Sequence, residues 1–329
     1  MSKEISRKLS IYSFVSTLLI VNYHWGTTFR DFSVLFPVYN FFAQFCDFTG
    51  IAAMSYFFFI SGYLLYRNAN QSNLKRKIKS RIYTLLIPYL LWNFISFFTG
   101  NWRHLLSVSL NEFLWNISAN PYDGPLWYVL GIFFLLIFFP LCCKWNFLLL
   151  FIPAIGRFLL PYLPSGIWWL SNLIDYLPQY CLGGFLASAA PRKERVSGKQ
   201  SLISLSMTIA LSFIYLVFPA SQWIRQIILL ILPVLLWLCI TEEFFQHDPP
   251  FPFTISFFLY AMHAGDVIPI LRSRVMPLFS FMTNSGIGVI VLRMLMFILT
   301  YLVILLLTWL AKKTLPAKLF GILSGNRVR

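Results

Sequence analysis

Residues 55–92 read SYFFFISGYLLYRNANQSNLKRKIKSRIYTLLIPYLLW, and this stretch decides the fold. An apolar run ends at Tyr66. A basic segment follows, with Arg67, Lys75, Arg76, Lys77, Lys79 and Arg81 and no acid among them. A second apolar run then leaves it. Short basic loops are retained on the cytoplasmic face of a membrane, so this hairpin sets the orientation expected for the whole chain. It also predicts a cationic cradle at the cytosolic mouth of a helix bundle, suited to a phosphorylated ligand.

Outward from the hairpin the rest of the chain repeats the apolar pattern. Hydrophobic residues make up 58% of the 329 and charged residues 11%, with a mean hydropathy of +0.72. Soluble domains carry about 25% charged residues, and a helix crosses a bilayer in ~20 apolar residues. The expected fold is therefore an all-α polytopic membrane protein, one transmembrane domain over 1–329. It is a bundle of about ten helices, near 9–25, 48–66, 81–99, 125–142, 147–163, 172–189, 201–218, 223–240, 254–271 and 287–310. The apolar, aromatic segment 32–46 reads as an interfacial or re-entrant piece. The N-terminal run ends in Asn22-Tyr23-His24-Trp25 without a small-residue cleavage site, so it reads as a retained span.

Charge placement tests this count. With the N-terminus inside, 19 of the 26 Lys and Arg fall on the cytoplasmic side, which predicts both termini there. The net charge of +15 thus reflects juxtamembrane loops and contact with anionic lipid rather than nucleic acid. One loop resists: 241–253 should be inside, yet it holds Glu242, Glu243 and Asp248 and no Lys or Arg. The five cysteines lie in or beside apolar runs without a CxxC pair, and read as small apolar residues rather than a disulfide or metal framework. Neither a nucleotide-binding glycine motif nor an HExxH pair is present.

Several polar residues fall where apolar ones are the rule. His24 lies ~23 Å along the first helix from Leu9. It is a candidate proton acceptor, or else an aromatic-belt residue beside Tyr23 and Trp25. His263 and Asp266 are three apart, which on an α-helix puts both on one face. They read as a His–carboxylate pair or a structural interhelical bond. Asp47, Asp123 and Asp175 map to outer span ends. Trp127 and Tyr128 of GPLWYV (124–129) read as a sugar platform or an interfacial anchor. In the basic hairpin Arg76, Lys79 and Arg81 are the candidate phosphate ligands.

These segments resemble acyltransferase family 3. FFFISGYLL (57–65) is similar to that family's FFFLSGY segment. The basic run with Arg81 and IPYLLW (87–92) is similar to its basic R-L-x-P-Y-x-x-W segment, and GPLWYVLGIF (124–133) to its LWFL span start. LPQYCLGGFLA (177–187) and SFFLYAMHAG (256–265) resemble its later Y-F-x-x-G and Y-x-x-H segments. The resemblance implies a membrane O-acyltransferase. It implies acetyl-CoA or another acyl-CoA as donor substrate, and a hydroxyl of a surface glycan or lipid-linked sugar as acceptor. The implied setting is a bacterial inner membrane. His24 would be catalytic, and Arg76, Lys79 and Arg81 would meet the CoA phosphates. Asp123, Trp127, Tyr128, Asp175, His263 and Asp266 are candidates for the acceptor side, with no metal and no resident cofactor. One departure stands out. The family usually has an Arg eleven residues before the His, where this chain has Ser13, and an Asp near the start of that span, where it has Ser10. Arg293 and Arg157 are the intramembrane cations left to substitute. A sugar or lipid transporter and an inactive scaffold remain the alternatives.

Overall fold

A computed structural model describes residues 3–67, 71–101, 108–118, 121, 124–136, 148–159, 162, 168–189, 196–217 and 222–325. Among these every regular element is helical. In chain order they are α1 (Lys3–Thr28), α2 (Phe32–Leu35), α3 (Pro37–Tyr66), α4 (Gln71–Arg81), α5 (Ile87–Asn101), α6 (Leu110–Ser118), α7 (Trp127–Leu135) and α8 (Leu148–Leu159). There follow α9 (Trp168–Ala189), α10 (Gly198–Val217), α11 (Gln222–Leu238), α12 (Ser256–Met262), α13 (Ile268–Ile270), α14 (Gly286–Thr314) and α15 (Ala317–Leu323). Four helical runs are long and apolar enough to cross a membrane: Pro37–Tyr66, Lys75–Thr99, Gly198–Val217 and Gly286–Thr314. On α10 even Leu202, Ile209 and Phe213 are exposed, as expected of a helix that faces lipid on most sides.

Two boundaries differ from the sequence expectation. Residues 37–46 are not a separate interfacial piece. They are the first turns of α3, started by Pro37 at its N-terminus, where a missing N–H costs nothing. The basic segment is not a loop either. It is helical from Gln71, because Lys, Arg, Gln and Leu are good helix formers. Lys77 turns back so that its Nζ donates to the carbonyls of Leu65 (2.7 Å) and Arg67 (2.9 Å), closing off the end of α3.

Widened π-turns interrupt the helices at Ile82–Leu86, His263–Val267 and Leu271–Val275. Each is followed, two residues on, by a proline: Pro88, Pro269 and Pro277. Proline brings no N–H, and its ring clashes with the carbonyl four residues back. A widened turn relieves both.

Close approach organises the centre. Gly62 of α3 and Gly183 of α9 face each other's helix so tightly that a Cβ on Gly62 would lie 2.0 Å from the Tyr180 carbonyl oxygen. One on Gly183 would lie 2.0 Å from that of Phe59. The SGY and LGG segments, far apart in sequence, are thus the two halves of one helix crossing, of the small-residue kind common in membranes.

The acidic loop 241–253 finds its explanation in α1. Buried Lys8 donates to Glu242 (2.9 Å) and to the Ile240 carbonyl (2.6 Å), and Glu242 also accepts from the Val196 amide at 2.8 Å. Arg7 pairs with Asp248 at 2.7 Å. The loop therefore lies at the same end of the bundle as the N-terminus, where the charge count requires it. Its acids pair with bases of the first helix.

Candidate functional site

Four hydroxyl residues of α1, Ser6, Ser10, Ser13 and Thr17, are spaced four, three and four apart, which puts them on one helical face. That face lines a cavity of about 590 Å³. Arg7 and Asp248 stand at its mouth, at the end of the bundle that carries Lys3 and the basic hairpin. Arg81, the last residue of α4, lies in its wall, and among the described residues it has no carboxylate partner. A second cleft of about 340 Å³ adjoins the first, sharing Arg81 and adding Lys77, Ser80 and Thr84.

Phe57, Tyr128 and Tyr260 close the deep end. Their rings are mutually in contact, with centroids 5.7 Å (Phe57–Tyr128), 6.0 Å (Tyr128–Tyr260) and 6.4 Å (Phe57–Tyr260) apart. The Tyr128 hydroxyl is 2.6 Å from that of Ser61 and donates to the Phe57 carbonyl at 3.1 Å. Tyr260 donates to the Pro125 carbonyl. Behind Tyr260 comes His263, centroids 5.9 Å apart, and behind His263 comes His24, at 5.0 Å. A line of groups thus runs from the basic end of the bundle, through the cavity and an aromatic partition, to a pair of histidines.

His24 belongs to a turn of α1 that is held from its other side. On α14, fully buried Arg293 donates from Nη2 to the Asn22 main-chain oxygen (2.7 Å) and from Nε to the Asn22 side chain (3.2 Å). Its Nη1 donates to the Tyr39 hydroxyl at 3.1 Å. Trp25 donates to Thr300 of the same helix at 3.0 Å. Gly26 leaves the room for this: a Cβ there would sit 3.1 Å from Asp47 Oδ1 and 3.2 Å from Arg293 Nη2.

The other expected site residues divide. His24 and His263 come together. Asp266 does not join them: it accepts from Thr99 (2.7 Å) and Ser96 (3.5 Å) of α5. The i, i+3 spacing fails because the turn from His263 to Val267 is a π-turn, closed by bonds one residue longer than in an α-helix. Tyr128 lines the cavity. Trp127 is buried, stacked on Phe58 at 5.7 Å and beside Tyr176 at 6.1 Å. Arg76 and Lys79 are exposed on α4, whereas Arg81 turns inward. Asp175 is half-buried on α9. Asp123 and the side chain of Arg157 lie outside the described residues. Arg293 does not line the cavity; the cations that do are Arg81 and Arg7, and Arg7 is paired with Asp248. The sequence reading has Lys77 only as part of the basic segment, and Ser10 and Ser13 only as departures from the family pattern; Ser6, Thr17 and Ser61 escaped it. Their spacing, Lys77 four before Arg81 and Ser6 to Thr17 on one face, was the available signal.

No curated protein and no solved structure matches the chain. The sequence model of the acyltransferase domain of family 3 matches residues 14–313, nearly the whole chain. The chain is an integral membrane protein that belongs to acyltransferase family 3.

Proposed function

We propose that this protein is an O-acyltransferase that takes an acyl group, acetyl in the simplest case, from acyl-CoA. It would pass that group to a hydroxyl of a surface glycan or lipid-linked sugar. The membrane is the cytoplasmic membrane of a bacterium, crossed about ten times, with both termini inside. One observation carries this reading. The cavity opens at the basic end of the bundle, has Arg81 in its wall, and runs inward to the tyrosines that border the histidine pair. A CoA donor has that layout: anionic phosphates at one end, a long flexible arm, and a thioester at the tip.

The steps follow from the residues. Arg81 binds a phosphate by charge-assisted hydrogen bonds, which a planar guanidinium makes well. It supplies in the cavity the positive charge that Ser13 lacks. The α1 hydroxyls line the path of the arm. Once the rings of Phe57, Tyr128 and Tyr260 part to let the thioester through, His24 removes the proton of the acceptor hydroxyl as it attacks the thioester carbon. The C–S bond breaks, the ester forms, and the proton on His24 returns to the departing thiolate as CoA-SH.

Purified protein in lipid nanodiscs, given acetyl-CoA and a glycan acceptor, should release free thiol in step with acceptor esterification. Transport of the glycan without thioester consumption would replace this reading. Within it, Arg81→Gln should raise the KM for acyl-CoA about tenfold to a hundredfold. The charge-assisted bond it removes is worth ~1.5–3 kcal/mol. A wild-type KM would remove Arg81 from the donor site.

Orientation is tested separately. In a background without native cysteines, an impermeant thiol reagent applied to intact cells should miss Lys75→Cys and label Ser280→Cys, both at exposed positions. The reverse pattern would invert the protein and move the cavity mouth to the outer face.

A further inference from the structure

His263 is fully buried, and its two ring nitrogens have unequal fates. Nδ1 lies 3.0 Å from the Leu259 carbonyl oxygen and 2.8 Å from that of Tyr260. A carbonyl oxygen only accepts, so Nδ1 carries the proton. Nε2 is then the bare lone pair, and it has no hydrogen-bond partner. A buried acceptor without a donor is costly, so such a group calls for an explanation. The titratable ring against this imidazole, besides its own neighbour Tyr260, is His24, with centroids 5.0 Å apart and planes at 57°. That separation is one an N–H···N bond between two imidazoles spans. Asp266, the carboxylate that spacing alone would assign to His263, is engaged by Thr99 and Ser96.

We infer that His263 is a positioning residue for His24: its Nε2 accepts the N–H of one His24 ring nitrogen and so leaves the other bare to take the acceptor proton. This rests on the acyl-transfer reading above for the role of His24, but the pairing itself is independent of it. In enzymes that orient a histidine base, a third group usually selects the tautomer. Here a second imidazole would do so, itself locked by the main chain of α12. When His24 takes up the hydroxyl proton it becomes a cation, and its N–H to His263 becomes a charge-assisted and therefore stronger bond. The pair thus favours the protonated state of His24 in the transition state without introducing a fixed negative charge into the membrane interior.

The chain has four histidines, His24, His104, His247 and His263. Protein labelled with [¹⁵N]histidine and reconstituted in lipid therefore shows four imidazoles. The signals lost in His24→Gln and in His263→Gln identify the pair. Solid-state NMR should find His263 protonated at Nδ1 and His24 in one tautomer, its N–H bonded to nitrogen. His263→Leu should leave His24 in a mixture of tautomers and lower kcat at least tenfold, with the KM for acyl-CoA unchanged. His263→Gln puts a carbonyl oxygen near the place of Nε2, and should restore both the single tautomer and most of kcat. An unchanged His24 tautomer in folded His263→Leu overturns the inference, whatever the activity. A His24→Ala protein that keeps its turnover overturns the general-base assignment instead, and the NMR result still decides the pairing.

Discussion

His24→Ala is expected to lower acyl transfer by about 10²–10⁴-fold, the range that a well-placed general base contributes. Expression, membrane insertion and acyl-CoA binding should stay at wild-type levels. A hydroxyl is a weak nucleophile until its proton is taken, and His24 is not among the residues that line the cavity. The loss should therefore appear in kcat and not in the KM for the donor. His24→Gln should fail equally, because an amide forms hydrogen bonds but does not accept a proton near neutral pH. His247→Ala, in an exposed loop, should be near wild type. The measurement is esterified acceptor per mole of protein at saturating acyl-CoA. Wild-type turnover in His24→Ala would sink the assignment.

Gly62→Ala and Gly183→Ala should each cost far more stability than the same methyl added at Gly198, where there is open space. In both cases the new methyl meets a main-chain oxygen at 2.0 Å, so no side chain can step aside and α3 and α9 must separate. Overpacking a core costs about 1–3 kcal/mol where neighbours adjust. A backbone clash at the central crossing should reach or exceed the top of that range. Activity should fall with it, since α3 carries Phe57 and Ser61 into the cavity wall. Thermal unfolding in detergent, read by loss of monodisperse protein, should move down clearly for both. Gly198→Ala, where nothing lies within 4 Å, should leave it unchanged or slightly raised. If all three unfold alike, the crossing is looser than its geometry states.

Much of this protein was legible in the residue order. Long apolar runs announce membrane helices because a bilayer admits little else. Clustered Lys and Arg mark one face of the membrane, and a few motifs in the right order point to the family. His24 stands out in the sequence for the same reason, since an ionisable group in an apolar run is costly, and the structure sets its ring against that of His263.

What the tertiary structure alone decided was which groups meet. The pairing of Lys8 with Glu242, 234 residues apart, turns an acidic exception to the charge rule into its partner. The bonds from Arg293 to Asn22 span 271 residues. Helical periodicity put His263 and Asp266 on one helix face, and a π-turn ahead of Pro269 sent them to different neighbours. Only the folded bundle shows that Arg81, and not Arg76 or Lys79, turns into the cavity. Hydrophobicity tells a helix where to be, but in a bundle whose helices are apolar on nearly every side it does not say which face meets which. That choice is made by shape: by glycines that let two backbones touch, by prolines that widen a turn, and by buried polar groups that must find a partner.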